Sequence, residues 1–286
     1  MKTPASFMKP KQMVAVALIV SISLGTYAAL AGIPKSIEFT GGSMIRVRCE
    51  NAPDPSSVET AIEGLLGADV SVDSVRGGLD IRTQLQLTEE QKTALRELMS
   101  SEFNVTGEGV NIDALGANII AVYAGQAIVA VAGAFVAMGV IILIAFRRRV
   151  PVGAMLLAVG LDMACVLGLM GIFGVELSLA SLAGMLMLIG YSVDTNILLT
   201  TSLLRRTEGE TLERLATAMR TGLMMSGTTM VPLIALNVLT TAPQLYQLTM
   251  VLIFGILADI MNTWMLNAGI LLEHSKKERV KYHVAL

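Results

Sequence analysis

The stretch from Leu182 to Arg206 reads LAGMLMLIGYSVDTNILLTTSLLRR, and its interpretation decides the fold. It is about as long as one helix needs to cross the hydrocarbon core of a bilayer, roughly 20 apolar residues. Asp194 stands near its middle and is followed at once by Thr195 and Asn196. A carboxylate at that depth costs roughly 3 kcal/mol or more unless it is protonated, paired or wetted. The stretch therefore reads as a membrane span carrying a proton- or ion-responsive site. A structural hydrogen-bonded cluster between helices is the plainer alternative.

The rest of the chain repeats the apolar theme. Of its 286 residues, 53% are hydrophobic and 15% charged, which is too apolar and too poor in charge for an ordinary soluble domain. Several runs of about 20 apolar residues account for this. Cys49 lies in a polar region and Cys165 in an apolar run, so they form no disulfide framework. No group of Cys, His or acidic residues has metal-ligand spacing. No metal, soluble cofactor or nucleic-acid partner is expected, and the chain does not read as an enzyme.

Outward from the central stretch, the spacing predicts six spans. Met13 to Ile33 is the first, about 30 Å long at roughly 1.5 Å per residue, after Lys2, Lys9 and Lys11. A secretory signal peptide is its competitor, since Ala29-Leu30-Ala31 resembles a cleavage site. Ile119 to Phe146 is the second span, rich in small residues that permit close helix contact in lipid, and Arg147-Arg148-Arg149 ends it. Val152 to Phe173 is the third, with Asp162 near its centre and Gly168, Gly171 and Gly174 forming a small-residue face. The fourth runs from about Leu179 to Leu204. Arg205 to Arg220 reads as an amphipathic surface helix with Leu212, Leu215, Ala216 and Met219 on one side. The fifth span, about Thr221 to Leu239, carries Ser226, Thr228 and Thr229, and the sixth, about Tyr246 to Leu272, carries Asp259, Asn262 and Asn267. A basic tail follows, giving segments 1–33, 34–118, 119–272 and 273–286.

Residues 34–118 form the one long polar region. Ser36 to Cys49 contains SMIRVRC, which alternates like a strand after Gly41-Gly42 as a bend entering it, and Pro55 to Leu66 reads as a helix capped by Ser56 or Ser57, with Val58, Ile62, Leu65 and Leu66 on one face. Val70 to Val75 and Leu79 to Leu87 alternate around Gly77-Gly78 as a hairpin. Thr88 caps a second helix, Glu89 to Ser101, with Gln91 at the capping-box position. Phe103 to Ile112 supplies a last strand. The order βαββαβ is that of the ferredoxin-like split βαβ unit.

Lysine and arginine orient the chain. The N-terminus, the triple arginine, the 205–220 segment and the tail hold fourteen of the 21 basic residues, and the other seven fall in 34–118 among fourteen acids. The positive-inside rule then places both termini in the cytoplasm and the 34–118 domain outside a cytoplasmic membrane. Asp162, Asp194 and Asp259 fall near the middles of three different spans, with no lysine or arginine at that depth. A shared depth predicts a shared polar layer, with Thr195, Asn196, Ser226, Thr228 and Thr229 carrying hydrogen bonds or water through it.

Two motifs carry a family resemblance: Ile37 to Ser43 (IEFTGGS), with Phe39, Gly41 and Gly42, and Ile189 to Ile197 (IGYSVDTNI), with Gly190 and Tyr191. Together with LDMACVLGLMGIFG and RTGLMMSGTTMVPLIAL they make nearly the whole chain resemble the SecF family, most closely its archaeal branch. The resemblance implies a six-helix half of the resistance-nodulation-division (RND) architecture, paired with a SecD subunit around a pseudo-two-fold axis and working beside the protein-conducting translocon. It further implies that the outer domain handles preproteins while proton flow through the membrane layer drives their movement. The pattern departs at one point. Bacterial relatives commonly read asparagine then aspartate in the fourth-span motif, whereas Asp194-Thr195-Asn196 shifts the acid by one residue, about 100° around the helix. Half of a small-molecule or lipid exporter, or a passive translocon scaffold, are the other functions such a chain allows.

Overall fold

The computed structural model describes residues 3, 5, 8–36, 39, 41–49, 53–75, 77–83, 85–103, 105, 109–115, 117–147, 149–204, 210–240 and 242–275. Parts of the sequence reading lie outside them: Ile37, Glu38 and Thr40 of the first motif, Arg148 of the triple arginine, residues 205–209 and the tail from 276. The chain divides into two compact units, Met1–Pro34 with Val129–Leu286, and Lys35–Ile128.

The smaller unit is built on alternation. Strands β1 (Gly42–Arg48), β2 (Val70–Val75), β3 (Gly78–Thr83) and β4 (Val110–Leu115) form one antiparallel sheet in the order β2-β3-β1-β4. Helices α2 (Pro55–Leu66) and α3 (Glu89–Glu102) connect them, giving the split βαβ unit. Register pairs Ile45 with Ile81 and with Ile112, so one sheet face is apolar. That face packs on Val58, Ile62 and Leu66 of α2 and Leu95 and Met99 of α3; Leu65 stays exposed. The hairpin turns through Gly77 at φ 84°. Gly78 must lack a side chain, because a Cβ there would meet the Val47 carbonyl oxygen at 1.8 Å.

Two local expectations need correction, the α2 cap and the start of β4. The cap of α2 is Asp54, whose carboxylate accepts the Ser57 N–H; Ser56 and Ser57 only hydrogen-bond to it. Pro55, which lacks an N–H, occupies the first helical position instead. β1 begins at Gly42, as the alternation of SMIRVRC suggests, and Gly41 and Gly42 take φ of 82° and 113°, the bend entering the strand that favours glycine. β4 starts at Val110, seven residues later than alternation suggested. The cap of α3 stands as read: Thr88 accepts the Gln91 N–H, and the Gln91 side chain accepts the Thr88 N–H.

Among the described residues six helices are long and apolar enough to cross a membrane: Pro10–Ala31, Gly125–Phe146, Arg149–Phe173, Leu179–Leu204, Thr211–Leu239 and Pro243–Ser275. They belong to α1 (Pro10–Ala31), α4 (Ala117–Phe146), α5 (Arg149–Phe173), α6 (Leu179–Leu204), α7 (Thr211–Leu239) and α8 (Pro243–Met261). The α8 span continues through a π-helical stretch, Asn262–Asn267.

Glycine permits a close crossing of α5 and α1. A Cβ on Gly168 of α5 would lie 2.5 Å from the Leu24 carbonyl oxygen of α1, and one on Gly171 would lie 3.1 Å from the Gly32 oxygen. Gly174 does not share this face. It ends α5 at φ 67°, the left-handed turn that favours glycine after a helix. The amphipathic segment before the fifth span is not a separate surface helix. From Thr211 it is the first part of α7, with Leu215 and Ala218 buried against Trp264 and Leu271 of the α8 span while Leu212 is exposed.

Candidate functional site

Small polar residues recur at helical spacing on two spans. Ser192, Thr195 and Asn196 share one face of α6, and Asp259, Asn262, Thr263 and Asn267 share one face of the α8 span. All seven are fully buried, as is Asp162 on α5. The three faces meet in one layer at mid-bundle.

Ser192 is its centre. Its Oγ lies 2.6 Å from Asp162 Oδ2 and 2.7 Å from Asp259 Oδ1. The Asn196 amide donates to the Ser192 carbonyl at 2.7 Å. Asn262 donates to Asp162 Oδ1 at 2.8 Å, and the Thr263 hydroxyl donates to Asp259 Oδ1 at 2.8 Å. Thr195 Oγ1 is 2.8 Å from Asp259 Oδ2 and 2.9 Å from the Ser192 carbonyl oxygen. A further ring closes the layer: Ser21 of α1 donates to Asn262 Oδ1 at 3.0 Å, Cys165 donates to Ser21 at 3.2 Å, and Asn267 donates to Asn196 Oδ1 at 2.6 Å.

A hydroxyl has one proton. Ser192 can donate to one carboxylate only, and toward the other it must accept. For both short contacts to be hydrogen bonds, one of the two carboxyl groups has to bring a proton of its own. Thr195 meets the same limit between Asp259 and a carbonyl. The two short Ser192 contacts thus need one proton more than the Ser192 hydroxyl supplies, and a protonated carboxyl group provides it.

Apolar packing seals the layer at both ends. Toward the 174–178 loop stand Val166, Met170, Leu188, Val251 and Phe254. Toward the start of α1 stand Met13, Leu199, Leu203, Trp264 and Leu271. Exchange of a proton with water requires one of these packings to open.

Asp194, the acid on which the sequence reading rested, is not in this layer. It is exposed on α6. It follows Ser192 by two residues, about 200° around the helix, so the two point in nearly opposite directions. Gly190 lies exposed on Asp194's side, with no other residue within 4 Å of a Cβ built there. Thr228 and Thr229 are exposed on α7 and donate to the Met225 carbonyl of their own helix at 2.9 and 3.0 Å. Ser226 is buried and accepts from the Tyr191 hydroxyl at 2.8 Å. Of the ion-coupling candidates, Asp162, Asp259, Thr195 and Asn196 come together; Asp194, Ser226, Thr228 and Thr229 do not join them. Phe39, Gly41 and Gly42 belong to the smaller unit, where the Phe39 N–H donates to the Ser36 carbonyl at 2.9 Å. Reading by depth missed Ser192, Thr263 and Ser21, although the spacing of Ser192, Thr195 and Asn196 marks a polar face that excludes Asp194.

Fold and site together define a helical membrane protein of six spans, with a split βαβ unit after the first span and a buried carboxyl pair at mid-bundle. Residues 95–277 match the family model described as "Protein export membrane protein SecD/SecF, C-terminal". The chain is 38% identical to the protein-export membrane protein SecF of Pyrococcus furiosus, over 92% of this chain and 90% of that one. It is 34% identical to SecF of Thermococcus gammatolerans, over 92% and 85%. The crystal structure of SecDF from Thermus thermophilus, a translocon-associated membrane protein, has the same fold, with a TM-score of 0.79 at 23% identity. The match covers 93% of this chain and 38% of that longer one. This chain belongs to the SecF family of protein-export membrane proteins.

Proposed function

We propose that the chain assists protein translocation across the cytoplasmic membrane by coupling proton movement to helix repacking, through the Asp162–Ser192–Asp259 group. The observation that carries this reading is the single Ser192 hydroxyl held between two carboxyl groups. Loss of the extra proton leaves two buried anions side by side without a cation, which the low-dielectric interior strongly disfavours. Relief requires water or a new partner, hence opening of the apolar packing on one side. Protonation state and helix packing are thereby linked, with no covalent chemistry and no cofactor.

Asp194 serves a different purpose in this scheme. An exposed carboxylate at mid-span is costly in lipid. Its place beside the bare Gly190 suits a face covered by a second membrane subunit, and a SecD-like chain is the partner the family suggests. The basic residues at the start of α1 and around Arg147 and Arg149 support a cytoplasmic position for that end, which leaves the split βαβ unit outside to meet preproteins.

Pulse-chase export of a secreted protein tests the coupling in cells lacking the chain and complemented at matched expression. Asp162→Asn, Asp259→Asn and Ser192→Ala are each expected to leave export at the level of cells without the chain, while the membrane level of each variant stays normal. Full export by all three variants would falsify the coupling role and leave the scaffold function.

A further inference from the structure

At the end of the bundle where α1 and α5 begin and the α8 span finishes, a cavity of 430 Å³ opens between these helices. That volume falls within the range of small-molecule sites, about 300–1,000 Å³. Its apolar lining comes from Val14 of α1, Val150 of α5 and Ile270 of the α8 span. Gly269 keeps α1 close, since a Cβ there would stand 2.7 Å from Val14 Cγ2 and 2.9 Å from the Pro10 carbonyl oxygen.

The rim is charged with opposite signs. Lys11 lines it from α1, and Glu273 and His274 from the α8 span; among the described residues neither Lys11 nor Glu273 is held in an ion pair. The helix ends order the field in the same way. α1 and α5 offer their N-terminal turns beside Lys11, with partial positive charge, and the α8 span offers its C-terminal turns beside Glu273, with partial negative charge. A simple anion or a simple cation would suit only one side of such a rim. What complements it is a molecule with a negative group, a positive group and an alkyl chain. Its depth agrees, because Lys11 and Glu273 stand where apolar spans give way to polar sequence, the level of the lipid headgroups.

We propose that this cavity binds one zwitterionic aminophospholipid of the surrounding leaflet. Its phosphate sits on Lys11 and the first turns of α1 and α5, its ammonium sits on Glu273, and the start of one acyl chain lies against Val14, Val150 and Ile270. The site is separate from the buried carboxyl pair and does not depend on it. Binding there ties the start of α1 to the end of the α8 span.

Native mass spectrometry of the purified, delipidated full chain, titrated with phosphatidylethanolamine, phosphatidylglycerol or inorganic phosphate, tests this. One phosphatidylethanolamine per chain is expected to be retained, with phosphatidylglycerol weaker by roughly tenfold, which is about 1.4 kcal/mol, and with no competition from phosphate. Lys11→Ala, on the phosphate side of the rim, is expected to weaken retention of both lipids, and Glu273→Gln, on the ammonium side, to remove the preference. Ile270→Trp, which fills the wall, is expected to remove binding. Equal retention of the two lipids by the wild type, or unchanged retention by both rim variants, overturns the proposal even if Ile270→Trp fails to fold. Binding that appears only after deletion of residues 276–286 also overturns it, because the tail is then the occupant.

Discussion

Asp194 and Asp162 have the same chemistry at similar depth and opposite surroundings. Asp162 receives Asn262 and Ser192 inside the bundle, whereas Asp194 faces outward from α6. Substituting an exposed side chain with no hydrogen bond or ion pair among the described residues usually changes stability by less than about 0.5 kcal/mol. Asp194→Asn is therefore expected to leave the melting temperature of the purified chain unchanged while reducing co-purification with a SecD-like partner. A fall in melting temperature with normal co-purification would place Asp194 in this chain's own packing. In the smaller unit, burial pushes the Asp80 carboxyl above its ordinary value of 3.8, with Arg46 and Arg82 opposing. A raised folded value means that the contribution of Asp80 to stability is present below pH 3.8 and is lost as pH rises through the raised value. Hydrogen exchange in this unit should therefore show Asp80→Asn gaining protection relative to wild type as pH rises from 4 to 7, about the span in which a perturbed carboxyl group ionises. A constant difference across that range would deny the linkage.

At the scale of elements, the α5–α1 crossing depends on a position where neither side can yield. The atom nearest a Cβ on Gly168 is a backbone oxygen of Leu24 at 2.5 Å, so Gly168→Ala has to push the helices apart. Overpacking of this kind costs about 1–3 kcal/mol. The expected result is a lower melting temperature and weaker cross-linking between cysteines placed on α1 and α5. Unchanged values would mean that the crossing relaxes freely. The site was legible to different degrees in different elements. On α5 and the α8 span, depth alone points to Asp162 and Asp259, because each lies on a face its helix buries. On α6 depth misled, because three polar residues next to the acid, not the acid itself, occupy the buried face. Azimuth around a helix is set by which neighbours it meets, and a single apolar span hardly reveals that when its outer face is apolar too.

In the molecule as a whole, the acid layer is closed between two apolar packings, and α1, α5, α6 and the α8 span all contribute to it. If proton transfer opens one packing, a group in the layer becomes accessible during turnover. Cys165 reports on this, since its thiol donates to Ser21 within the layer and it is 1% exposed. With Cys49 replaced by serine, a small membrane-permeant thiol reagent should label Cys165 slowly in resting membranes and faster under an imposed proton gradient. Asp162→Asn should abolish the difference. Gradient-independent labelling would show a layer that stays closed, as a purely structural network would.

The sequence by itself determined the number of spans, the order of strands and helices in the split βαβ unit, the α3 cap and the family. These depend on hydropathy runs, on period-two alternation and on cap chemistry, all of which act over a few neighbouring residues. Only the tertiary structure decided that Ser192 stands between Asp162 and Asp259, that Asp194 faces away, and that the surface segment before the fifth span is part of α7. Those outcomes come from helix rotation and from contacts between residues as far apart as Ser21 and Asn262. An apolar helix in lipid pays little for turning any face inward. Close packing at glycines and the pairing of buried polar groups select the one rotation observed.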